Sequence, residues 1–317
     1  MKIITFDDIK SLNISPRTCV EWIEEALAIK SNALLPKKIS LSPPEPSHVF
    51  YNTMPCILPQ LNRGGVKIVT RYPDRNPSLD SEILLYDLSD GECLALMDGD
   101  WITTMRTGAV AAHTVQLLAK PGARKIAIAG LGNTAAASLL CIAESQQEKQ
   151  FEIGLLKYKD QHLRFQERFS SFPHLSFQCF GDMHEMAEWC DVMLSCITVT
   201  DKDLVSPEAF GPGALVVPVH TRGFAQCDLT FDKVFCDDIA HVSNFKFFSN
   251  FEKKLAEVSA VLSGDAAGRE HDEERIIAYN IGIALHDMLF ASRIEEMTRK
   301  QAVSTIALDK PTTKFWV

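Results

Sequence analysis

Four groups of residues in this chain are of types that could do chemistry. Lys67 stands inside an apolar run, Gly65-Val66-Lys67-Ile68-Val69, where a lysine needs a reason to be. The plain alternative is a lysine on an edge strand whose stem is covered and whose head reaches water. Arg106 lies in a helical stretch of small apolar residues, Met105-Arg106-Thr107-Gly108-Ala109-Val110, and its plain alternative is an interdomain ion pair. His220 and Arg222 follow an apolar run at 214–219. Ligands of doubly wound sheets bind past the carboxyl ends of the strands. A histidine there with a near-neutral pKa can act as a general acid or base. Arg222 suits a second carboxylate, and a capping histidine with a surface arginine is the alternative.

The fourth group is the stretch from Lys125 to Ile142. Ile126-Ala127-Ile128-Ala129 has the length and composition of a buried parallel strand. Gly130-Leu131-Gly132 and Asn133-Thr134-Ala135 follow, then an Ala/Leu-rich helix. This order is the dinucleotide-binding fingerprint, with Ala135 in the third glycine's place. Gly130 permits the tight turn, Gly132 lets a pyrophosphate approach, and Ala135 lets the helix pack on the strand. The helix start offers N–H groups and partial positive charge to phosphates. A glycine turn in another kind of α/β protein is the alternative. At the end of the next strand an NAD enzyme would carry an acid for the ribose 2′-hydroxyl. Lys157-Tyr158-Lys159 stands there instead, so a 2′-phosphate is favoured and NADP(H) is expected over NAD(H), although Asp160 is near. Thr198 and Thr200, after the strand at 191–196, occupy the usual place for hydroxyls near the nicotinamide ribose; an ordinary strand-end loop is the alternative.

These residues need elements to position them. Residues 3–6 read as a strand and the stretch to 30 as a helix starting near Pro16, with Val20, Ile23, Ala26 and Leu27 on its apolar face. From 34 to 96 the pattern turns to short strands (49–51, 65–69, 83–86, 93–96) with an Asp90-Gly91 turn. Residues 98–118 read as helix, and Pro121-Gly122 marks a boundary. Strands at 126–129, 151–156, 176–180, 191–196, 214–219 and 233–236, spaced by helical stretches, predict a parallel sheet. Helices at 248–262 and 276–300 complete the chain, the last running back to the N-terminal region. The fold class is α/β: a Rossmann-type doubly wound sheet plus a discontinuous β-rich α+β domain. The expected domains are 1–119 with 290–317, and 120–289.

Composition narrows the function. At 317 residues with 46% hydrophobic and 23% charged content, two domains with ordinary cores are expected. The net charge of -9, with no basic stripe, argues against nucleic acid. The N-terminus MKIITFDDIKSL lacks the apolar core of a signal peptide, and no apolar run approaches the roughly 18 residues of a membrane span. Nine cysteines without a CxxC pair point to reduced thiols, a cytoplasmic setting and no zinc. The remaining histidines have no metal-ligand spacing, so no metal is expected.

The chain resembles the ornithine cyclodeaminase/μ-crystallin family over nearly its whole length. The matching stretches are Gly65-Val66-Lys67-Ile68-Val69, Asn76-Pro77, Leu96-Met97-Asp98-Gly99 with Met105 to Val110, and the Gly130 to Ala135 turn. Ser263-Gly264-Asp265, Gly268-Arg269-Glu270, Asp272-Glu273 and Asn280-Ile281-Gly282-Ile283-Ala284 are similar to the branch of N-(2-amino-2-carboxyethyl)-glutamate dehydrogenases. The resemblance implies a homodimer whose β-rich domain, 1–119 with 290–317, binds substrate and forms the dimer. It implies an oxidoreductase that moves hydride to or from the α-carbon of a small amino or imino acid, with a nicotinamide dinucleotide in the 120–289 domain. Cyclodeamination of ornithine and cofactor binding without turnover are the alternatives.

By the same resemblance Lys67, Arg106 and a basic residue matching Lys38 hold the substrate carboxylate, while Arg269 and Asp287 touch the cofactor. The charge chemistry suits this, since two or three cations offset a carboxylate's desolvation. Cyclodeaminating members use two acids. One matches Asn52, two residues before Met54-Pro55; the other falls near Gly223, five residues before Asp228. An amide and a glycine cannot shuttle a proton from an attacking amine. Cyclodeamination is therefore disfavoured, Asn52 is left as a substrate contact, and His220 stands as the acid–base candidate.

Overall fold

The computed structural model describes residues 1–45, 48–198, 200, 202–308 and 311–314. The chain divides into two units: Met1–Asn13 with Asn32–Ile102 and Asp287–Val317, and Ile14–Ser31 with Thr103–His286. These bounds differ from the expected 1–119 with 290–317 and 120–289. Residues 14–31 join the second unit because the Pro16–Ala28 helix packs on the Asn133–Ser145 helix. Residues 103–119 join it because Gly108 lies against Ala137; a Cβ there would stand 2.6 Å from the Ala137 carbonyl oxygen.

The first unit is built on strands β1 (Lys2–Ile4), β2 (Ile39–Leu41), β3 (Phe50–Leu58), β4 (Arg63–Arg71), β5 (Leu79–Asp87) and β6 (Cys93–Asp98). With Ser304–Thr305 they form a sheet in the order Ser304–Thr305, β1, β6, β5, β4, β3, β2. β3 through β6 pair antiparallel in sequence, and β1 joins β6 in parallel. Side chains alternate across the pleat, so Met54, Cys56 and Leu58 share a buried face with Lys67, Val69, Ile83, Leu85, Ala95 and Met97. Residues 287–297 of the Ala284–Met297 helix belong to this unit, and Met288 reaches Gly65, where a Cβ would stand 2.8 Å from its sulfur. Phe6 starts a helix, Phe6–Ser11, rather than ending the first strand: Thr5 and Asp8 form a reciprocal cap.

The second unit holds β7 (Lys125–Ala129), β8 (Phe151–Leu156), β9 (Leu175–Phe180), β10 (Val192–Ser195), β11 (Leu215–Pro218), β12 (Lys233–Cys236), β13 (Leu255–Glu257) and β14 (Ile276–Tyr279). Every pairing is parallel, in the order β13-β12-β14-β11-β10-β7-β8-β9. β10, β11 and β14 are buried at every residue, as strands covered on both faces must be. The doubly wound expectation holds, but two details change. Residues 276–279 form a strand inside the sheet, not the start of a helix, and the helix begins at Ala284. The expected helix at 248–262 is broken by β13. Among the described residues no helix is long and apolar enough to cross a membrane. All nine cysteines are free.

Candidate active site

The order of the parallel sheet reverses between β7 and β10, where ligands of such folds bind. Gly130 leaves β7 at that point with φ +81, and a Cβ on it would stand 2.6 Å from the Cys196 carbonyl at the exit of β10. Only glycine allows the two strand exits to approach this closely. Gly132 starts the Asn133–Ser145 helix without a capping side chain, and the space beside its α-carbon is open. Ala135 is fully buried against the strand, as the fingerprint requires, while Asn133 is exposed and Thr134 half-buried at the helix start. A cradle that a Cβ would narrow, facing free helix N–H groups, fits a dinucleotide's pyrophosphate.

Lys157, Tyr158 and Lys159 are all exposed just past β8. Lys157 donates its backbone N–H to the Phe180 carbonyl at 2.9 Å. Lys159 adopts a left-handed backbone (φ +48), and its ammonium lies 5.4 Å from the centre of the Tyr158 ring. Thr198 is exposed after β10, whereas Thr200 turns its hydroxyl to the Lys202 carbonyl at 2.7 Å. From sequence the tail Thr312 to Val317, ending Phe315-Trp316, reads either as a segment that packs on a second copy or as a frayed end; residues 315–317 lie outside the described residues.

His220 follows β11, and its Nε2 lies 2.6 Å from the fully buried Ser195 hydroxyl at the end of β10. Burial pushes its pKa down to about 4, partly opposed by a hydrogen bond to the Arg222 backbone. Burial thus favours the neutral ring, which ties two strand ends together through Ser195, where the sequence leads one to expect a near-neutral acid. Arg222 is exposed beside it. Asp228 is turned inward and accepts the Tyr279 hydroxyl at 2.7 Å, and burial raises its pKa to about 7.

Arg106 is buried in the Asp100–Leu118 helix. Its guanidinium lies on Gly282, with Nη2 3.0 Å and Cζ 3.1 Å from where a Cβ would stand. Asp237, past β12, accepts the Gly282 N–H at 2.9 Å; burial raises its pKa, opposed by that N–H, by Asn280 and by the charge of Arg106.

In the first unit Lys67 is not a snorkelling edge residue. It lies on central β4, its side chain has 0% exposure, and its ammonium donates to Asp287 Oδ1 at 2.8 Å, also at 0%. Asn52 pairs in register with Ser40 and Val69, and its buried Oδ1 has no hydrogen-bond partner among the described residues. Lys38 is half-buried one residue before β2. Sequence reasoning missed Ser195 beside His220, and Asp237 and Gly282 beside Arg106. It named Asp287 only as a cofactor contact. Gly282 carried a visible signal, a glycine in the apolar run 276–285; the others are joined only by the fold.

A reversing parallel sheet with a glycine turn and an open helix start defines a dinucleotide-binding α/β protein. The sequence profile of the Ornithine cyclodeaminase/mu-crystallin family matches residues 2–302, and the chain belongs to that family. The nodulation efficiency protein NfeD of Rhizobium meliloti is 25% identical over 316 residues, covering 94% of this chain and 96% of that protein. The N-((2S)-2-amino-2-carboxyethyl)-L-glutamate dehydrogenase of Staphylococcus aureus is 26% identical over 238 residues, 70% of this chain and 69% of that one. The structure of Thermococcus litoralis Delta(1)-pyrroline-2-carboxylate reductase with NADH and L-proline matches in fold with a TM-score of 0.87 at 23% identity, covering 97% of this chain and 100% of that one. Relatives that carry an enzyme name include reductases and dehydrogenases, and this chain is an oxidoreductase by class.

Proposed function

We propose that the protein transfers hydride between a nicotinamide dinucleotide, NADP(H) in preference to NAD(H), and the α-carbon of a small amino or imino acid. The observation that carries this reading is the Gly130 turn against the exit of β10, at the reversal of an all-parallel sheet. The dinucleotide, when bound, supplies the hydride acceptor or donor. Gly130, Gly132, Asn133, Thr134 and Ala135 form its pyrophosphate cradle, Thr198 binds toward the nicotinamide ribose, and Lys157 and Lys159 take the 2′-phosphate.

The protein's own work is orientation and charge. Arg106 and Lys38 bind the substrate carboxylate, and Lys67 joins them by exchanging its buried Asp287 partner for it. Arg222 binds a second carboxylate where the substrate has one, and Asn52 offers an unpartnered acceptor for the substrate nitrogen. His220 acts in this reading as a neutral ring that orders the loop carrying Arg222. The inward turn of Asp228 toward Tyr279 supports redox chemistry over cyclodeamination, because neither Gly223 nor Asp228 supplies the second acid.

The same reading makes the protein a cytoplasmic homodimer. Nine unpaired thiols suit a reducing compartment. Leu34, Ile39, Leu41 and Tyr51 are exposed around the edge strand β2, where a second copy would cover them. The test is an NADPH-oxidation screen of cyclic imines, and of keto acids paired with amines, repeated with NADH. Turnover of an imino acid with lower KM for NADPH is expected. Ammonia release from ornithine without net change in the dinucleotide would instead establish cyclodeamination.

A further inference from the structure

The segment Asn280-Ile281-Gly282-Ile283-Ala284 leaves β14 and lies against Arg106. Gly282 has φ +79, and any Cβ there would overlap Nη1 of Arg106 and crowd Nη2 and Cζ. The missing side chain is the space that the guanidinium occupies. Asp237 fixes this turn: Oδ2 accepts the Gly282 N–H at 2.9 Å, and Oδ1 accepts Asn280 Nδ2 at 3.2 Å. Asn280 Nδ2 also donates to Thr114 Oγ1 at 3.1 Å, on the same helix as Arg106 and eight residues further along it. Arg106, Thr114, Asp237 and Asn280 are all buried.

We propose that Gly282, held by Asp237 and Asn280, is a seat that fixes the Arg106 guanidinium, so that this turn sets the enzyme's selectivity for carboxylate substrates. The inference rests on the reading of Arg106 as a carboxylate anchor and deepens it. A bidentate pair needs its planar donor held in one orientation, and the space left by the missing side chain at Gly282, beside the Nη1–Nη2 edge, lets that edge sit in one place without being pushed aside. Gly282, Asp237 and Asn280 are thus positioning residues. None of them has to touch the substrate.

The test compares Gly282→Ala with Gly264→Ala. Gly264 has nearly the same backbone conformation (φ +82), but a Cβ there meets nothing within 4 Å, so it controls for backbone strain alone. Crystal structures of both variants are the first readout and require no turnover. Arg106 should be displaced in Gly282→Ala and in place in Gly264→Ala. Kinetics with Δ1-pyrroline-2-carboxylate and NADPH are the second. KM should rise about tenfold or more in Gly282→Ala, the loss of one charge-assisted hydrogen bond, with a smaller change in kcat. Asn280→Ala, which adds no atom, should raise KM less and serves if Gly282→Ala does not fold. Arg106 unmoved in the Gly282→Ala crystal, or an equal rise in KM from Gly264→Ala, overturns the proposal. An unchanged KM in Arg106→Gln overturns the anchor reading beneath it; a raised KM in Arg106→Gln with none in Gly282→Ala overturns the seat alone.

Discussion

The ammonium of Lys67 lies 2.8 Å from the carboxylate of Asp287, and water reaches neither side chain. A buried pair of this kind is costly to break from one side, since the remaining charge loses its partner without regaining water. Asp287→Ala is expected to lose about 3–5 kcal/mol of stability in urea unfolding. The double variant Lys67→Met with Asp287→Leu should recover most of it. A loss under 1 kcal/mol in the single variant would show that the pair is not closed to water.

His220 gives a prediction from its depressed pKa. Its folded value near 4 lies below the ordinary 6.5, so the unfolded chain binds the extra proton between those limits. Its contribution to stability is therefore complete above pH 6.5 and lost as pH falls toward 4. A neutral ring is a poor acid at pH 7, and His220→Gln should lower kcat by less than about tenfold, short of the 10²–10⁴ expected of a general acid. A larger loss, with a limb near pH 6.5 in the wild-type profile, would restore the acid–base role.

Asp228 behaves with the opposite sign. Its folded pKa near 7 exceeds the ordinary 3.8, so the native state holds the proton that the unfolded chain releases. Stability from this group is complete below pH 3.8 and lost as pH rises through 7. Asp228→Asn keeps an acceptor for the Tyr279 hydroxyl and removes the charge. At pH 8 it should gain on the order of 2–4 kcal/mol over wild type, and the gain should vanish near pH 4. Thermal melts at the two pH values decide it.

Lys157 and Lys159 bear on the choice of dinucleotide. Replacing both with Gln should raise KM for NADPH by about tenfold or more, the range of one or two charge-assisted contacts, and leave KM for NADH nearly unchanged. Equal effects on both would remove these lysines from the 2′-phosphate.

The sequence exposed the local features and hid the distant pairings. Lys67 was conspicuous because a lysine inside Gly65 to Val69 contradicts its surroundings. Its tie to Asp287 joins positions 220 apart, and no local pattern encodes that. The glycine turn was readable because strand, turn and helix are contiguous. Ile276–Tyr279 reads as helix from sequence because a fully buried strand and a buried helix share the same unbroken apolar composition. The Asn280 and Gly282 that end it are turn residues, and they were the available signal. The depressed pKa of His220 follows from burial and its tie to Ser195 from the fold, and the residues around 220 reveal neither.

β14 lies between β11 and β12, which do not pair with each other. During synthesis, everything up to Cys236 leaves the ribosome with a gap in the middle of its sheet, closed only when Ile276–Tyr279 emerges about forty residues later. Until then β11 and β12 each present an open hydrogen-bonding edge, the surface through which nascent chains aggregate. A stop codon placed shortly before position 276 should therefore yield insoluble product rather than a smaller folded unit.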